Sequence, residues 1–227
     1  MIDYIIIGTL LVFTIGIGIY FKHTGKDCGL AGVDSVDDIK AGMVTLDYAI
    51  KKDDPWGTGG IQRLMDQIEQ AKIIIIAKPT GKLIQSDGTY GQEILVKQIL
   101  RGEEHIMEGE KTWFYQSFGF RAIDDKIRFM NAYLNIMNLE EEYLVFLEPS
   151  PLNDYQEETV YELSNEVLGY ICLKEMKTKN LPEEYKEIDY VELKEYEFFA
   201  VSEKLTTELN EVRKAILEKY IMNENGK

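Results

Sequence analysis

The chain has 227 residues, 45% of them hydrophobic and 11% aromatic, and a formal net charge of −15. That composition belongs to a folded protein with room for one domain of ordinary size, not to a disordered chain. Asp3 is the only charged side chain before Lys22, so the remainder carries −14; this excludes nucleic acid as a partner and docking of the domain surface on anionic headgroups, because both need a basic footprint.

From Tyr4 to Phe21 the chain runs 18 residues without a charge, and eleven of them are Ile, Leu, Val or Phe. As a helix this segment spans about 27 Å, close to a hydrocarbon core of about 30 Å. Tyr4 and Tyr20 sit at its two ends, where amphipathic rings favour the interface. No polar stripe runs along it, as one would along a helix buried in a soluble core. Residues 1–21 are therefore predicted to be a transmembrane anchor, which makes the lipid bilayer the first partner. Lys22, His23, Thr24, Gly25, Lys26 and Asp27 follow the apolar run. They make a poor cleavage site, and Gly25-Lys26-Asp27 ahead of Cys28 does not fit a lipid-modification site, so a retained anchor is expected. Counting Lys22, Lys26 and Lys40 by the positive-inside rule puts the domain in the cytoplasm.

Residues 22–42 read as a polar, Gly-rich juxtamembrane tether with a short helix start at Ser35-Val36-Asp37-Asp38, ended by Gly42. Met43 to Ile50 is a first strand, closed by the turn cluster Asp53-Asp54-Pro55-Trp56-Gly57. Ile61, Leu64, Met65, Ile68 and Ala71 fall on one helical face, with Thr58 as a plausible cap. Lys72 to Lys78 is a buried β-branched strand closed by Pro79 and Gly81. Further strands are predicted within Tyr90 to Leu100, Thr112 to Gln116, Tyr143 to Leu147, Thr159 to Leu163 and Tyr170 to Leu173, and a short helix over Phe129 to Leu139. Ser202 caps a helix from Glu203 to Met222, whose apolar stripe is Leu205, Leu209, Val212, Ile216 and Tyr220. The domain is thus expected over residues 43–222, followed by a polar tail, 223–227.

Chemistry-bearing residues are sparse. His23 lies at the membrane edge, and His105 sits among Glu103, Glu104 and Glu108, which reads as a solvated acidic loop because no second His or Cys completes a zinc pattern. There is no GxSxG nucleophile elbow and no HExxH. Gly57-Thr58-Gly59-Gly60 precedes a helix but lacks the Lys-Ser/Thr of a phosphate loop. Acids cluster at Asp124-Asp125, Glu140-Glu141-Glu142 and Glu157-Glu158; with 40 acids in the chain such adjacency arises by chance. Cys28 and Cys172 stand 144 positions apart and read as free thiols, with a disulfide left open. Trp56, Trp113, Phe114, Tyr115, Phe118 and Phe120 offer either a ligand platform or ordinary strand packing. No catalytic, cofactor-binding or metal-binding residue is assigned.

Three strand segments carry a resemblance. Ala71 to Lys78, Gln92 to Gly102 and Tyr143 to Leu147 resemble the opening strand, the second strand with its turn, and a later strand of an uncharacterised family of small β-barrel-like domains in anchored or secreted proteins of Gram-positive bacteria. Ala77 stands where that family has Gly, and Arg101 where it has Lys. The resemblance spans roughly residues 45–175. It implies a compact, non-enzymatic barrel outside the membrane, opposite to the lysine count. The expected fold class is α+β, mainly β: one N-terminal transmembrane helix, then a small β-barrel-like domain with flanking helices. The expected function is binding or interaction at the cell envelope. The alternatives are an envelope hydrolase working through unrecognised carboxylates and a cytoplasmic-facing accessory subunit of a membrane complex.

Overall fold

A computed structural model describes residues 33–47, 60–86, 89–116, 119–123, 126–130, 133–151, 159–175, 177–182 and 187–222. The predicted anchor therefore lies outside the described residues, and among the described residues no helix is long and apolar enough to cross a membrane. His23, Cys28, Trp56, Thr58, Phe118, Asp124, Asp125, Glu157 and Glu158 also lie outside them.

Two long strands start the domain's main body. β2 (Ile73–Ser86) and β3 (Thr89–Arg101) form an antiparallel hairpin, and β4 (Lys111–Gln116) pairs antiparallel with β3. The chain returns as β7 (Tyr143–Pro149), which lies antiparallel on the free edge of β2. β8 (Val160–Leu163) then closes the ring, antiparallel to β7 and parallel to β4. The result is a barrel of order β2-β3-β4-β8-β7 that returns to β2. Closure leaves no unpaired edge along the ring, which removes the aggregation hazard of an open sheet.

The apolar runs become intelligible once the barrel is covered from outside. Ile73, Ile74, Ile75 and the whole of Tyr143 to Leu147 are fully buried, because one set of side chains fills the barrel and the other lies under helices. α2 (Glu203–Leu217) supplies that cover with Leu205, Leu209, Val212, Ile216 and Leu217. Its Arg213 Nη2 donates to the carbonyl of Cys172 at 2.7 Å, on β9 (Tyr170–Cys172). Just beyond its C-terminus, the Tyr220 ring meets Phe146 edge-on at 5.8 Å. Ser202 caps the helix by accepting from the Leu205 N–H. α1 (Gly60–Gln70) buries Leu64 and Ile68, and Arg101 Nη1 seals its C-terminus by donating to the carbonyls of Glu69 and Ala71 at 2.8 and 2.9 Å.

Several boundaries differ from the sequence reading. β2 does not stop at Pro79 but runs on to Ser86; the pairing slips between Pro79 and Leu83, and this bulge accommodates a residue that has no N–H to give. Residues 33–42, read as tether, are packed on the domain: Val33 and Ile39 are buried, and the Leu83 N–H donates to the Asp34 carbonyl at 2.8 Å. No helix forms among the described residues of Phe129 to Leu139. Instead β5 (Phe120–Ile123) and β6 (Lys126–Met130) form a hairpin, and the chain is non-helical over residues 133–139. β6 pairs in parallel with β1 (Val44–Asp47), whose other edge carries β11 (Ile188–Asp189), giving a second sheet of order β11-β1-β6-β5. β8 and β9 do not pair with each other but lie end to end along β7, and Phe146 bridges the junction through Gly169 and Ser164. A Cβ on Gly169 would lie 2.3 Å from the Asn165 carbonyl oxygen, so only glycine fits that junction.

The second sheet and the barrel meet in an aromatic cluster. Phe129 lies 4.9 Å from Tyr190, 5.2 Å from Phe120 and 5.6 Å from Tyr90, centroid to centroid. Beside it Asn135, fully buried, is satisfied at every polar atom. Its Nδ2 donates to the carbonyls of Leu193 and Tyr196 at 3.0 and 2.7 Å, and its Oδ1 accepts from Tyr190 at 2.5 Å. Its carbonyl accepts from Tyr170, and its N–H donates to the Glu197 carbonyl at 2.9 Å. β12 (Phe198–Ala200), parallel to β10 (Thr178–Asn180), follows directly. Replacing Asn135 by alanine strands the buried Leu193 and Tyr196 carbonyls and the Tyr190 hydroxyl, at about 1–3 kcal/mol each. Urea denaturation of Asn135→Ala is expected to show a loss of about 3 kcal/mol or more, whereas Glu192→Ala at the surface should change stability by less than about 0.5 kcal/mol.

Candidate functional site

β4 alternates strictly between exposed and buried positions: Lys111, Trp113 and Tyr115 point outward, while Thr112, Phe114 and Gln116 point into the barrel. Phe114 packs against Tyr170, and Gln116 accepts from Gln92 at 2.9 Å. Phe114 and Phe120 are therefore core residues, and of the six aromatics singled out by sequence only Trp113 and Tyr115 lie on the outer wall among the described residues. Both are half-buried on the barrel's outer wall.

Cross-strand register sets what surrounds them. Trp113 faces Glu93 on β3, and Tyr115 faces Gly91. A Cβ at Gly91 would stand 3.1 Å from the Tyr115 ring and 2.8 Å from Ile84 Cγ2, so glycine is what lets the ring and Ile84 close over the strand. Ile84, 43% exposed, is the one large hydrophobic side chain of the described barrel strands that is open to solvent. Glu93 lies low on this wall, only 8% exposed at its side chain. Thr80 Oγ1 donates to its Oε2 at 2.7 Å and Lys82 Nζ to its Oε1 at 3.1 Å. Desolvation acts to raise the Glu93 carboxyl, but the bonds from Thr80 and Lys82 and the charges of Lys82 and Lys111 outweigh it, and the carboxyl is held below its ordinary value. A carboxylate held this way is a weak proton acceptor.

The other charged clusters are spent on structure. In the acidic loop after β3, Glu108 accepts the Ile99 N–H and Glu110 the Met107 N–H, while His105 Nε2 lies 3.3 Å from Glu104 and its carbonyl accepts from Tyr161 at 2.6 Å. Glu141 pairs with Lys174 at 2.8 Å. Among the described residues no group of three or more His, Cys, Asp or Glu is placed to hold a metal ion. A cleft of about 370 Å³ beside β1 and β6 is lined by Gly42, Met43, Thr45, Lys126, Ile127 and Glu187, and its charges are already joined as Lys126–Glu187 at 2.6 Å. Burial raises the Glu197 carboxyl, which accepts the Lys177 N–H at 2.5 Å. Burial also pushes the Cys172 thiol up to about 11, keeping it protonated.

The signal for Trp113 and Tyr115 was present in the sequence as the alternation of Lys111-Thr112-Trp113-Phe114-Tyr115-Gln116. Glu93 was missed. Its cue was a lone carboxylate inside an otherwise apolar strand, but its partners come from across the hairpin, 13 and 11 positions away.

The strand order, with three meandering strands, a fourth that returns to pair with the first, and a fifth parallel to the third, defines a closed Greek-key barrel of OB-fold connectivity. The three segments that carry the family resemblance are the adjacent strands β3, β2 and β7 of that barrel. A scan against protein-family models gave no match, and comparison with curated protein sequences gave none either.

Because Glu93 is held below its unfolded value of about 4.5, it contributes stability in full above that value and loses the contribution as pH falls through its lower folded value. Chemical denaturation from about pH 6 down to about pH 3 is expected to show the wild type losing its advantage over Glu93→Gln in the acid range. A gap that stays constant with pH would contradict this assignment.

Proposed function

We propose that this chain is a membrane-anchored, extracytoplasmic binding module whose ligand surface is the outer face of β3 and β4. One observation carries the reading: strict alternation sets Trp113 and Tyr115 side by side on the barrel wall, next to a carboxylate fixed by Thr80 and Lys82. Aromatic rings that are neither buried nor fully exposed, with oriented polar groups beside them, are the usual make-up of recognition surfaces. By analogy of fold alone, the corresponding strands of OB barrels are their ligand face.

The described chain enters the domain beside this face. The chain enters the domain along β2, where the Asp34 carbonyl accepts the Leu83 N–H and Ser35 bridges to Lys82, the residue that holds Glu93. A free stripe at Leu205, Leu209, Val212 and Ile216 would favour the cytoplasmic accessory-subunit reading; that stripe is buried, which counts against it. Two carboxyls raised together in one pocket would favour the hydrolase reading; among the described residues Glu197 is raised, while Glu93 and Glu187 are lowered.

Two measurements test the proposal. In sealed protoplasts, an added protease is expected to degrade the domain while leaving a cytoplasmic control intact; survival until lysis would overturn the topology. Full-length protein in detergent is expected to co-sediment with isolated cell-wall sacculi, and the Trp113→Ala/Tyr115→Ala pair to weaken retention about tenfold or more. Retention that is unchanged in the double variant would remove the face from the binding function.

A further inference from the structure

We propose that Glu197 is a proton-operated clasp: the seam between β10 and β12 takes up a proton on this side chain when it closes, and rising pH loosens the seam together with α2, which follows β12 in the chain. The first ground is geometric. Glu197 stands just ahead of β12 and is bonded on both flanks. Its N–H donates to the Lys177 carbonyl and its own carbonyl accepts from the Asn135 N–H, each at 2.9 Å. Its side chain reaches across to the start of β10, where Oε2 accepts the Lys177 N–H at 2.5 Å. The seam continues in the parallel register of Thr178 with Phe198 and Asn180 with Ala200, and in the bond from the Leu181 N–H to the Ala200 carbonyl at 2.6 Å. α2 is tied to the same seam by Thr206 Oγ1, which donates to Asn180 Oδ1 at 2.9 Å. Opening the seam therefore brings Glu197, 3% exposed when it is closed, into water.

The second ground is charge. The described cations around Glu197 are engaged elsewhere: Lys177 Nζ with Glu195 at 2.9 Å, Lys174 Nζ with Glu141 at 2.8 Å, and Arg213 Nη2 with the Cys172 carbonyl at 2.7 Å. The carboxyl is left to neutral main-chain donors, and a buried anion so held is costly until a proton removes its charge. Desolvation is the largest influence on it and the Glu141 charge adds to it; the main-chain bonds and the Lys177 charge oppose them without prevailing, so the carboxyl sits above its ordinary value of 4.5. The closed seam thus keeps a proton that the open one releases. That contribution to closure is complete below about 4.5 and is lost as pH rises through the higher folded value. Glu93 does not act in this window, because its carboxyl changes charge below its ordinary value. The groups that face Glu197 are Glu141 ahead of β7, Tyr143 on β7, Tyr170 and Cys172 on β9, Lys174, Glu175 and Lys177 between β9 and β10, Glu195 ahead of β12, and Arg213 on α2. Burial pushes the two phenols and the thiol up, and the carboxylates beside Lys174 and Lys177 raise both lysines, so none of these five changes charge near neutral pH.

The test is amide hydrogen exchange on full-length protein in detergent, followed by mass spectrometry of a peptide over Lys177–Leu181 at about pH 5, 6.5 and 8. Wild type is compared with Glu197→Gln, which keeps an acceptor for the Lys177 N–H but carries no charge at any pH. The peptide has the same sequence in both proteins, so its chemical exchange rate cancels at each pH. The ratio of protection, variant over wild type, is expected to rise by about threefold or more between pH 5 and pH 8. Glu195→Gln, which removes an exposed carboxylate two residues away, is expected to leave its own ratio flat. A Glu197→Gln ratio that is constant with pH, whatever its size, would reduce Glu197 to a structural residue and overturn the proposal. A rise of equal size in Glu195→Gln would assign the effect to general charge and overturn it as well. Near-UV circular dichroism checks that each variant is folded. If Glu197→Gln is not, carboxyl-labelled glutamate in the wild type decides by NMR titration: one glutamate titrating above the ordinary range supports the clasp, and none doing so overturns it.

Discussion

Asn135 is the joint on which the structure depends. It sits where the barrel, the second sheet and the β10–β12 pair converge, and it answers each with a hydrogen bond: Tyr170 from the barrel side, Tyr190 from the second sheet, and Glu197 at the start of β12. In a low-dielectric interior an unmade bond costs more than a made one contributes, so a fully satisfied amide at a three-way junction selects a single docking geometry. The phenols around it reinforce this. Burial holds Tyr170 and Tyr190 above the ordinary tyrosine range, so they stay neutral and remain donors to Asn135 at any physiological pH.

That joint matters for the candidate site because Gln92 links the two. Its amide donates to Gln116 inside the barrel, and its carbonyl oxygen accepts from the Met137 N–H, two residues beyond Asn135. β3 and β4 are thereby tied on their inner side to the chain that makes the joint. Their outer side, with Trp113, Tyr115 and Glu93, is held by the same inner tie.

The helices serve the barrel by covering it. α2 lies over β7 and β9, so the side chains that a sequence reader sees as an amphipathic stripe become part of the same core as the barrel's own. The chain before β1 is likewise built into the domain through Val33, Ile39 and the bond from Leu83 to Asp34.

Much of the fold was legible locally. The β-branched run after Lys72, the apolar segment from Tyr143, the alternation in β4 and the stripe from Leu205 each carry their period in consecutive residues, and each formed the element its period predicts. The tertiary structure decided the rest. Barrel closure depends on β7 finding the edge of β2, about 70 positions away in sequence, and nothing local encodes that pairing. Phe129 to Leu139 is rich enough in apolar residues to suggest a helix, yet Asn135 draws its main chain into bonds with Tyr170 and Glu197, which helical pairing would forbid. Glu93 is one acid among 40 until the hairpin brings Thr80 and Lys82 to it. Periodicity is a property of neighbours in sequence and can be read there; a site is a property of neighbours in space, and only the folded chain supplies them.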